Sequence, residues 1–300
     1  MAATRGGFPN QFDKTIDEMY NDGMMGVPDE ASQYASEDSV KGGTYNSYSE
    51  ISGLEKTREI GEGEGVDYVV PVEGHSVKRY FTKYGLGYQA TMEAIEDELF
   101  DNIAGAAKAL GKSSAYQWQY SFFDLLNSGD DTHKTADGKY IFDTDHPLLN
   151  STSVLDNLAA VDLSETALQA AAQYFDTMKS NAGYPDPQQF KKLIVSTSDK
   201  WMAGKLFKTG SVLNSANNDV LTTNPENGLM DWSYDVCHYL TDLDSWFALS
   251  NDPGLMVSWK RRASLTEQGD WETEGKMYKT LMRFSVYANR PNGLYGSYGV

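Results

Sequence analysis

The sequence predicts an α+β protein in which helices and strands occupy largely separate stretches of the chain. Apolar residues recur at helical spacing in the middle of the chain, while β-rich runs precede that stretch and follow it towards the C-terminal end. A chain of 300 residues with 40% hydrophobic residues can bury one large core or two modest ones. We therefore expect a globular protein held together by packing.

The charge and the cysteine content exclude several classes of function. A formal net charge of -18 argues against a surface that grips nucleic acid, because phosphate binding requires clustered Lys and Arg. Simple solubility explains the same charge. Cys237 is the single cysteine, so one chain can form neither a disulfide nor a thiolate metal cluster. The start has no apolar signal core, and no apolar run approaches the roughly 18 residues of a membrane span, so we expect a soluble, cytoplasmic product.

The first two segments of the chain are predicted to gain stability from another surface. Residues 1–48 are rich in Gly, Ser, Asn and Asp, and only a short helical turn near Ile16 and Tyr20 is expected there. Two β-rich runs then extend from Val66 to Tyr84 around Glu73-Gly74-His75. Because Pro71 confines the first run to an edge, a projecting hairpin is predicted.

Three long helical patterns follow. The first begins at Thr91 and is expected to end at Gly111, and the second runs to a stop at Asn127-Ser128-Gly129. The third extends from Glu165 to Ser180, with Ser164 as its N-cap. The remaining patterns predict a short helix around Trp201 and strands at residues 189–196, 233–240, 245–249, 255–260 and 276–287.

No nucleotide, cofactor or metal site is predicted. Gly111-Lys112-Ser113 resembles the end of a phosphate-binding loop, but Ala106 occupies the position where that motif needs Gly. A helix does not follow the glycines of residues 61–65, so these do not form a dinucleotide fingerprint. A set of acidic and His side chains suggests a hard-metal cluster, although a strand-ending turn explains it equally well: Asp143, Asp145 and His146, with His133 or Asp137 nearby.

No catalytic residue is predicted, and the chain is not expected to be an enzyme. Cys237 and His238 are neighbours on a predicted strand and therefore face opposite sides. Asp242 and Asp244 lie among aromatic residues, as the paired acids of a carbohydrate hydrolase do. Turn capping at the end of a strand accounts for the same two residues, and we favour it.

The segment from Asp137-Gly138-Lys139-Tyr140-Ile141-Phe142 to His146-Pro147 resembles major capsid proteins of tailed phages, especially the Mu-like major head subunit family. Later segments are similar to that family in order and spacing, although Ser196-Thr197-Ser198 replaces a Pro-rich turn and Ala288 replaces a usual Gly. These segments are Phe190 to Val195, Asp244 to Leu249, Pro253 to Val257, Met282 to Tyr287 and Gly293 to Ser297.

The resemblance implies the Hong Kong 97 capsid fold and divides the chain accordingly. The implied parts are an N-terminal arm at 1–48, an extended hairpin loop at 49–86, a peripheral domain with a long spine helix at 87–150, an axial domain at 151–251, and a completion of the peripheral domain with a C-terminal tail at 252–300. The implied function is a major head protein whose hexamers and pentamers form an icosahedral shell around phage double-stranded DNA.

The same resemblance implies partners and a location. Besides itself, the subunit is expected to meet separate scaffolding, portal and decoration proteins, and packaged DNA without sequence-specific binding. We expect no membrane partner, and we expect assembly in the host cytoplasm into a virion capsid. An encapsulin-like nanocompartment shell protein and, less favoured, an acidic carbohydrate hydrolase are the alternatives.

Charges suggest where two subunits meet. Lys78, Arg79 and Lys83 add positive charge to the returning strand of the predicted hairpin on a largely acidic chain. We expect these residues to contact Glu93, Glu96 and Asp97 on the spine helix of a neighbouring subunit. Such a contact weakens as salt screens it.

Overall fold

The computed structural model describes most of the chain. The described residues contain four helices and fifteen strands. The described residues are 9–40, 42–54, 56–71, 73–91, 93, 100–149, 154–208, 212–213, 221–222, 232–269 and 275–299. The helices are α1 (Pro9–Met25), α2 (Phe100–Asn127), α3 (Glu165–Asp176) and α4 (Lys200–Lys208). The strands are β1 (Ser36–Glu37), β2 (Tyr45–Ile51), β3 (Glu73–Tyr80), β4 (Thr82–Ala90), β5 (His146–Pro147), β6 (Val154–Leu155), β7 (Leu158–Ala159), β8 (Phe190–Val195), β9 (Val212–Leu213), β10 (Leu221–Thr222), β11 (Ser233–Val236), β12 (Trp246–Ser250), β13 (Leu255–Gly269), β14 (Lys276–Ala288) and β15 (Leu294–Ser297).

The chain forms two compact units, and each is built from segments that are distant in sequence. Unit 1 contains residues 1–46, 80–122 and 257–286, as far as these are described. Unit 2 contains residues 47–79, 123–256 and 287–300, with the same restriction.

Unit 1 packs α1 and α2 on one face of a four-stranded sheet. The strand order is β1-β13-β14-β4, and β14 pairs antiparallel with β4 from Lys276 opposite Ala90 to Phe284 opposite Thr82. Every second residue of β14 from Tyr278 to Phe284 is buried, which is the alternation expected of a sheet covered on one face. Stacked ring pairs continue this core onto β4, with Tyr88 on Tyr278 and Tyr84 on Phe284, each pair at 5.0 Å.

The backbones of α1 and α2 touch where they cross. A Cβ added to Gly23 would lie 2.1 Å from the carbonyl oxygen of Lys108, and one added to Gly111 would lie 2.1 Å from that of Tyr20. This approach buries Tyr20, whose hydroxyl lies 2.7 Å from Thr280 Oγ1 and 3.3 Å from Ser114 Oγ. Residues 9–25 thus form a full helix with buried Ile16 and Tyr20, where the sequence predicted one short turn.

Helix α2 runs without a break through Gly111, so the predicted end at this residue is wrong. Glycine usually weakens a helix, but here it allows the close approach of α1 and therefore serves packing. The predicted stop after Asn127 is confirmed. Thr91 is described, but most of the predicted first turns of this helix lie outside the described residues.

Unit 2 is built on a five-stranded mixed sheet of order β11-β8-β12-β15-β7. β8 is parallel to β11 and antiparallel to β12, with Leu193 opposite both Tyr234 and Ala248. All residues of β12 are buried, and the Trp246 indole Nε1 donates to the Val161 carbonyl at 3.0 Å. Helix α3 covers this core, and its first turn is capped as predicted because Ser164 Oγ accepts a bond from Ala167 N at 3.2 Å.

The predicted β-hairpin differs from the observed pairing. Residues 66–70 do not form a strand, and all five side chains are exposed. Pro71, which follows them, has no N–H to donate to a neighbouring strand. Instead β3 pairs with β2, and β4 pairs with β14. The described residues between β2 and β3 form a mostly exposed segment without helix or strand. Glu64 N donates to the Gly61 carbonyl at 3.1 Å in a turn, and Arg58 pairs with Asp67 at 2.8 Å, so the chain folds back here.

The C-terminal strands divide between the two sheets. β13 and β14 lie in the sheet of unit 1, whereas β15 lies between β12 and β7 in the sheet of unit 2. Gly296 explains this position, because a Cβ there would lie 2.7 Å from the Phe142 ring and 2.9 Å from the Phe247 ring. β15, which the sequence did not predict as a strand, therefore belongs to the sheet of unit 2 and not to the sheet of β13 and β14.

The helix crossing provides a matched pair of substitutions. Gly111→Ala places a methyl group against the Tyr20 carbonyl and should lower the free energy of unfolding by about 1–3 kcal/mol. Gly105→Ala lies on the same helix with no heavy atom within 4 Å and should raise it by about 0.5–1 kcal/mol. Urea denaturation followed by circular dichroism measures both. Equal effects of the two variants would contradict the close packing of α1 on α2.

Candidate assembly surfaces

The segment between β2 and β3 exposes an unusual amount of apolar surface. Tyr68 is 93% exposed and Val70 is 78% exposed, and Val66 and Val69 are also exposed. Single exposed apolar residues are common, but four within five consecutive residues indicate a surface that another molecule covers.

Lys78 and Arg79 face opposite sides of β3, so they cannot act as one basic patch. Lys78 is exposed, whereas the Arg79 guanidinium lies 5.5 Å from the centre of the Tyr287 ring and donates to the Ala288 carbonyl at 2.9 Å. Burial lowers the pKa of Arg79, against a smaller opposite effect of Tyr287. The structure therefore uses Arg79 within unit 2, and Lys78 is the more accessible of the two.

Lys83 lies on β4 directly opposite Arg283 of β14, and both point away from the buried face of the sheet. On the predicted acidic side, Glu93 is exposed, while Glu96 and Asp97 lie outside the described residues. Lys83 thus lies beside other basic residues of unit 1. The sequence analysis did not name Lys279 and Arg283. A signal was available, because Lys279, Leu281 and Arg283 are every second residue of a strand without acidic residues and therefore share one face.

The segment that carried the family resemblance forms a buried polar cluster. His146 Nδ1 lies 2.6 Å from Asp137 Oδ2, and both side chains are almost fully buried. Asp137 Oδ1 also accepts bonds from the Thr135 hydroxyl and from Lys139 N. Burial raises the pKa of the Asp137 carboxyl, but the hydrogen bonds from His146 and Thr135 outweigh this effect and hold the pKa below its ordinary value.

The other residues of the proposed metal cluster are engaged separately. Asp145 pairs with Lys139 at 3.1 Å, and its backbone N–H donates to Asp143 Oδ1 at 3.2 Å, which is a turn. His133 Nε2 lies 2.9 Å from Asp124 instead of near His146. Within the described part of the chain, no group of three or more His, Cys, Asp or Glu side chains has a geometry that could hold a metal ion.

The candidate hydrolase acids also form a turn. Asp242 Oδ1 accepts a bond from Asp244 N at 3.1 Å, and the Asp242 carbonyl accepts one from the Ser245 hydroxyl at 2.9 Å. Cys237 is buried. Nearby, burial and the negative charges of Asp244, Asp162 and Asp242 raise the pKa of Asp199. The hydrogen bonds of Asp242 match the turn-capping interpretation.

None of the helices in the described ranges is long and apolar enough to cross a membrane.

Two α+β units, a long helix and an exposed loop segment between two strands are the features expected of a Hong Kong 97 capsid subunit. Residues 76–297 match the family model described as phage capsid protein. The chain therefore belongs to the phage capsid protein family, and it is a structural protein of the capsid. A comparison with curated protein sequences found no match.

Solved capsid structures share the fold at low sequence identity. The virus-like particle of Pyrococcus furiosus is 12% identical with a TM-score of 0.53, and the match covers 96% of this chain and 99% of that one. The mature capsid of bacteriophage PhiM1 is 10% identical with a TM-score of 0.62 over 91% and 88% of the two chains. The capsid of cyanophage P-SCSP1u is 9% identical with a TM-score of 0.61 over 89% and 86%. The predicted α+β class and Hong Kong 97 fold are thereby confirmed.

The buried pair yields a pH-dependent prediction. Asp137→Asn removes a charge-assisted bond to buried His146 and should lower the free energy of unfolding by about 1.5–3 kcal/mol at pH 7. Because the folded pKa of Asp137 lies below the ordinary value of 3.8, its contribution is complete above about pH 4 and is lost as the pH falls through the folded pKa. Denaturant titrations at several pH values measure the difference between wild type and variant.

The exposed Asp145 provides the control for this experiment. Asp145→Asn removes a solvent-exposed ion pair with Lys139 and should change stability by less than about 1 kcal/mol. A difference between wild type and Asp137→Asn that stays constant from pH 7 to pH 3 would contradict a role of the carboxylate charge.

Proposed function

We propose that this capsid protein self-assembles into hexamers and pentamers of an icosahedral shell that encloses phage double-stranded DNA. The observation that carries the proposal is the family match over residues 76–297. The exposed apolar run at residues 66–70 supports it, because an isolated chain leaves this surface uncovered and a neighbouring subunit would bury it. The family match favours a phage head subunit over an encapsulin-like nanocompartment shell.

The domain division implied by the resemblance belongs to this proposal in a modified form. Unit 1 would be the peripheral domain with α2 as its spine, and unit 2 would be the axial domain together with most of the loop predicted at 49–86. The arm would be shorter than residues 1–48, because α1 packs within unit 1. Membership of the Mu-like branch remains part of the proposal.

The proposed subunit has no catalytic activity of its own. Asp242 and Asp244 support this proposal because their polar atoms hold a turn together. Scaffolding, portal and decoration proteins are the expected partners, and packaged DNA would lie beside an acidic shell without sequence-specific binding. Assembly would take place in the host cytoplasm.

Shell formation is tested by electron microscopy and sedimentation of the purified protein. We expect closed shells from the wild type and a reduced yield from Tyr68→Ser combined with Val70→Ser, because these side chains would be buried between subunits. Met25→Ser is a control, since Met25 is 84% exposed but lies at the end of α1. A wild type that remains a monomer of 33.3 kDa under all assembly conditions would refute the proposed function.

The charged contact predicted from the sequence also remains a proposal, with Lys78 as its accessible residue. Lys78→Glu should raise the critical concentration for assembly about two- to fivefold at low salt without changing the melting temperature, because an exposed ion pair is weak. Arg79→Glu should instead lower the free energy of unfolding by about 1.5–3 kcal/mol, because Arg79 bonds to Ala288 in a half-buried position. Assembly of Lys78→Glu at the wild-type concentration would exclude this contact.

A further inference from the structure

A cavity of about 400 Å³ lies in unit 1, where the chain around the end of α1 meets α2, β13 and β14. Its volume is within the range of about 300–1,000 Å³ that small-molecule sites occupy in proteins. Much of its wall is apolar, and these side chains come from all four elements: Met24, Val27, Trp118, Val257, Trp259 and Met282. An apolar molecule bound here would contact each of the elements.

Two indole rings line the cavity. The ring centroids of Trp118 and Trp259 are 5.1 Å apart, with the planes tilted by 52°. Trp118 is buried and Trp259 is partly exposed. The Arg262 guanidinium lies 5.2 Å from the centre of the Trp259 ring, so this aromatic surface already holds a cation of the chain itself. Aromatic faces attract apolar rings and cations alike.

The buried polar side chains of the lining are engaged within the protein. Ser114 Oγ donates to the Leu110 carbonyl at 3.2 Å. The Gln119 side chain accepts a bond from Ala31 N at 3.0 Å and donates to Asp29 Oδ1 at 2.7 Å. Because these hydrogen bonds are already made, a ligand needs no polar group in the interior of the cavity.

The mouth of the cavity has one carboxylate that no cation balances. The exposed lining residues, which form this mouth, are Asp29, Ser32, Glu37 and Arg262. Glu37 pairs with Arg262, whereas Asp29 forms no ion pair with a Lys, Arg or His in the described ranges. The mouth therefore favours a cation over an anion.

Hydrogen bonds hold the Asp29 carboxylate beside the aromatic lining. It accepts bonds from Ser32 N at 3.1 Å and from Trp118 Nε1 at 3.3 Å. Partial desolvation raises the pKa of Asp29, but the hydrogen bonds from Ser32, Gln119 and Trp118 outweigh this effect and hold the pKa below its ordinary value. Asp29 is therefore negatively charged at neutral pH.

We propose that this cavity binds a small organic cation with an apolar, ring-containing body. Its ammonium group would lie beside Asp29, and its body would contact Trp118 and Trp259. The site goes beyond shell assembly and does not depend on it, because every lining residue belongs to unit 1 of a single subunit. Since only the folded chain has this cavity, a bound ligand would stabilise the subunit.

Three probes with the same phenyl ring test the charge preference. Phenethylammonium is the cation, 2-phenylethanol is neutral and 3-phenylpropionate is the anion. Isothermal titration calorimetry and tryptophan fluorescence of the purified full-length protein measure their binding. We expect a Kd of about 0.1–1 mM for the cation. The neutral probe should bind about tenfold more weakly because it lacks the charge-assisted bond to Asp29, and the anion should bind more weakly still.

Three variants test the location of the site. Asp29→Asn should reduce the difference between the cation and the neutral probe to about twofold or less. Ala115→Phe places a ring in the cavity and should abolish binding of every probe, because Ala115 lines it. Ala109→Phe is the matched control on an exposed position of α2 outside the lining, and it should bind as the wild type does. Circular dichroism of each variant verifies that the subunit remains folded.

The probe series on the wild type is decisive without any variant. Equal binding of the cation, the neutral probe and the anion would overturn the proposed preference for a cation, and absence of binding would overturn the site itself. A cation preference that persists in Asp29→Asn would show that another group recognises the charge. Undiminished binding to folded Ala115→Phe would place the probe outside this cavity, and either result would contradict the inference.

Discussion

The contact between the backbones of α1 and α2 determines the arrangement of unit 1. Two glycines, Gly23 and Gly111, allow the helices to approach until main-chain atoms meet. Only at this distance can the Tyr20 hydroxyl reach Ser114 on α2 and Thr280 on β14, so one residue connects the N-terminal helix, the long helix and the sheet. A larger residue at either glycine would separate all three elements.

The opposite face of the same sheet carries basic residues. Side chains alternate between the two faces along β14. Because Tyr278, Thr280 and Met282 are buried against the helices, Lys279, Leu281 and Arg283 lie on the other face. The packing of the core and the placement of the basic residues therefore have one cause. A shift of one residue in the pairing of β14 with β4 would bury the charges and expose the aromatic rings.

Local patterns predicted the elements better than they predicted the pairing. The N-cap at Ser164, the buried strand β8 and the end of α2 after Asn127 follow from short-range chemistry, which the sequence displays directly. The interpretation of Gly111 as a helix end was wrong because its role depends on α1, a segment distant in sequence. For the same reason β15 was not predicted, since the role of Gly296 depends on the rings of Phe142 and Phe247, which are distant in sequence. The grouping of basic residues on one face of this sheet depends on the register of β4 with β14, so the sequence analysis named Lys83 but neither Lys279 nor Arg283.

The position of β15 has a consequence for the order of events during synthesis. β15 is translated after every other strand of the unit 2 sheet, yet it lies in the interior of that sheet between β12 and β7. Until residues 294–297 leave the ribosome, β7 has no neighbour in this sheet and β12 has an unpaired edge. A nascent subunit therefore cannot complete this sheet until nearly all of the described chain has been made.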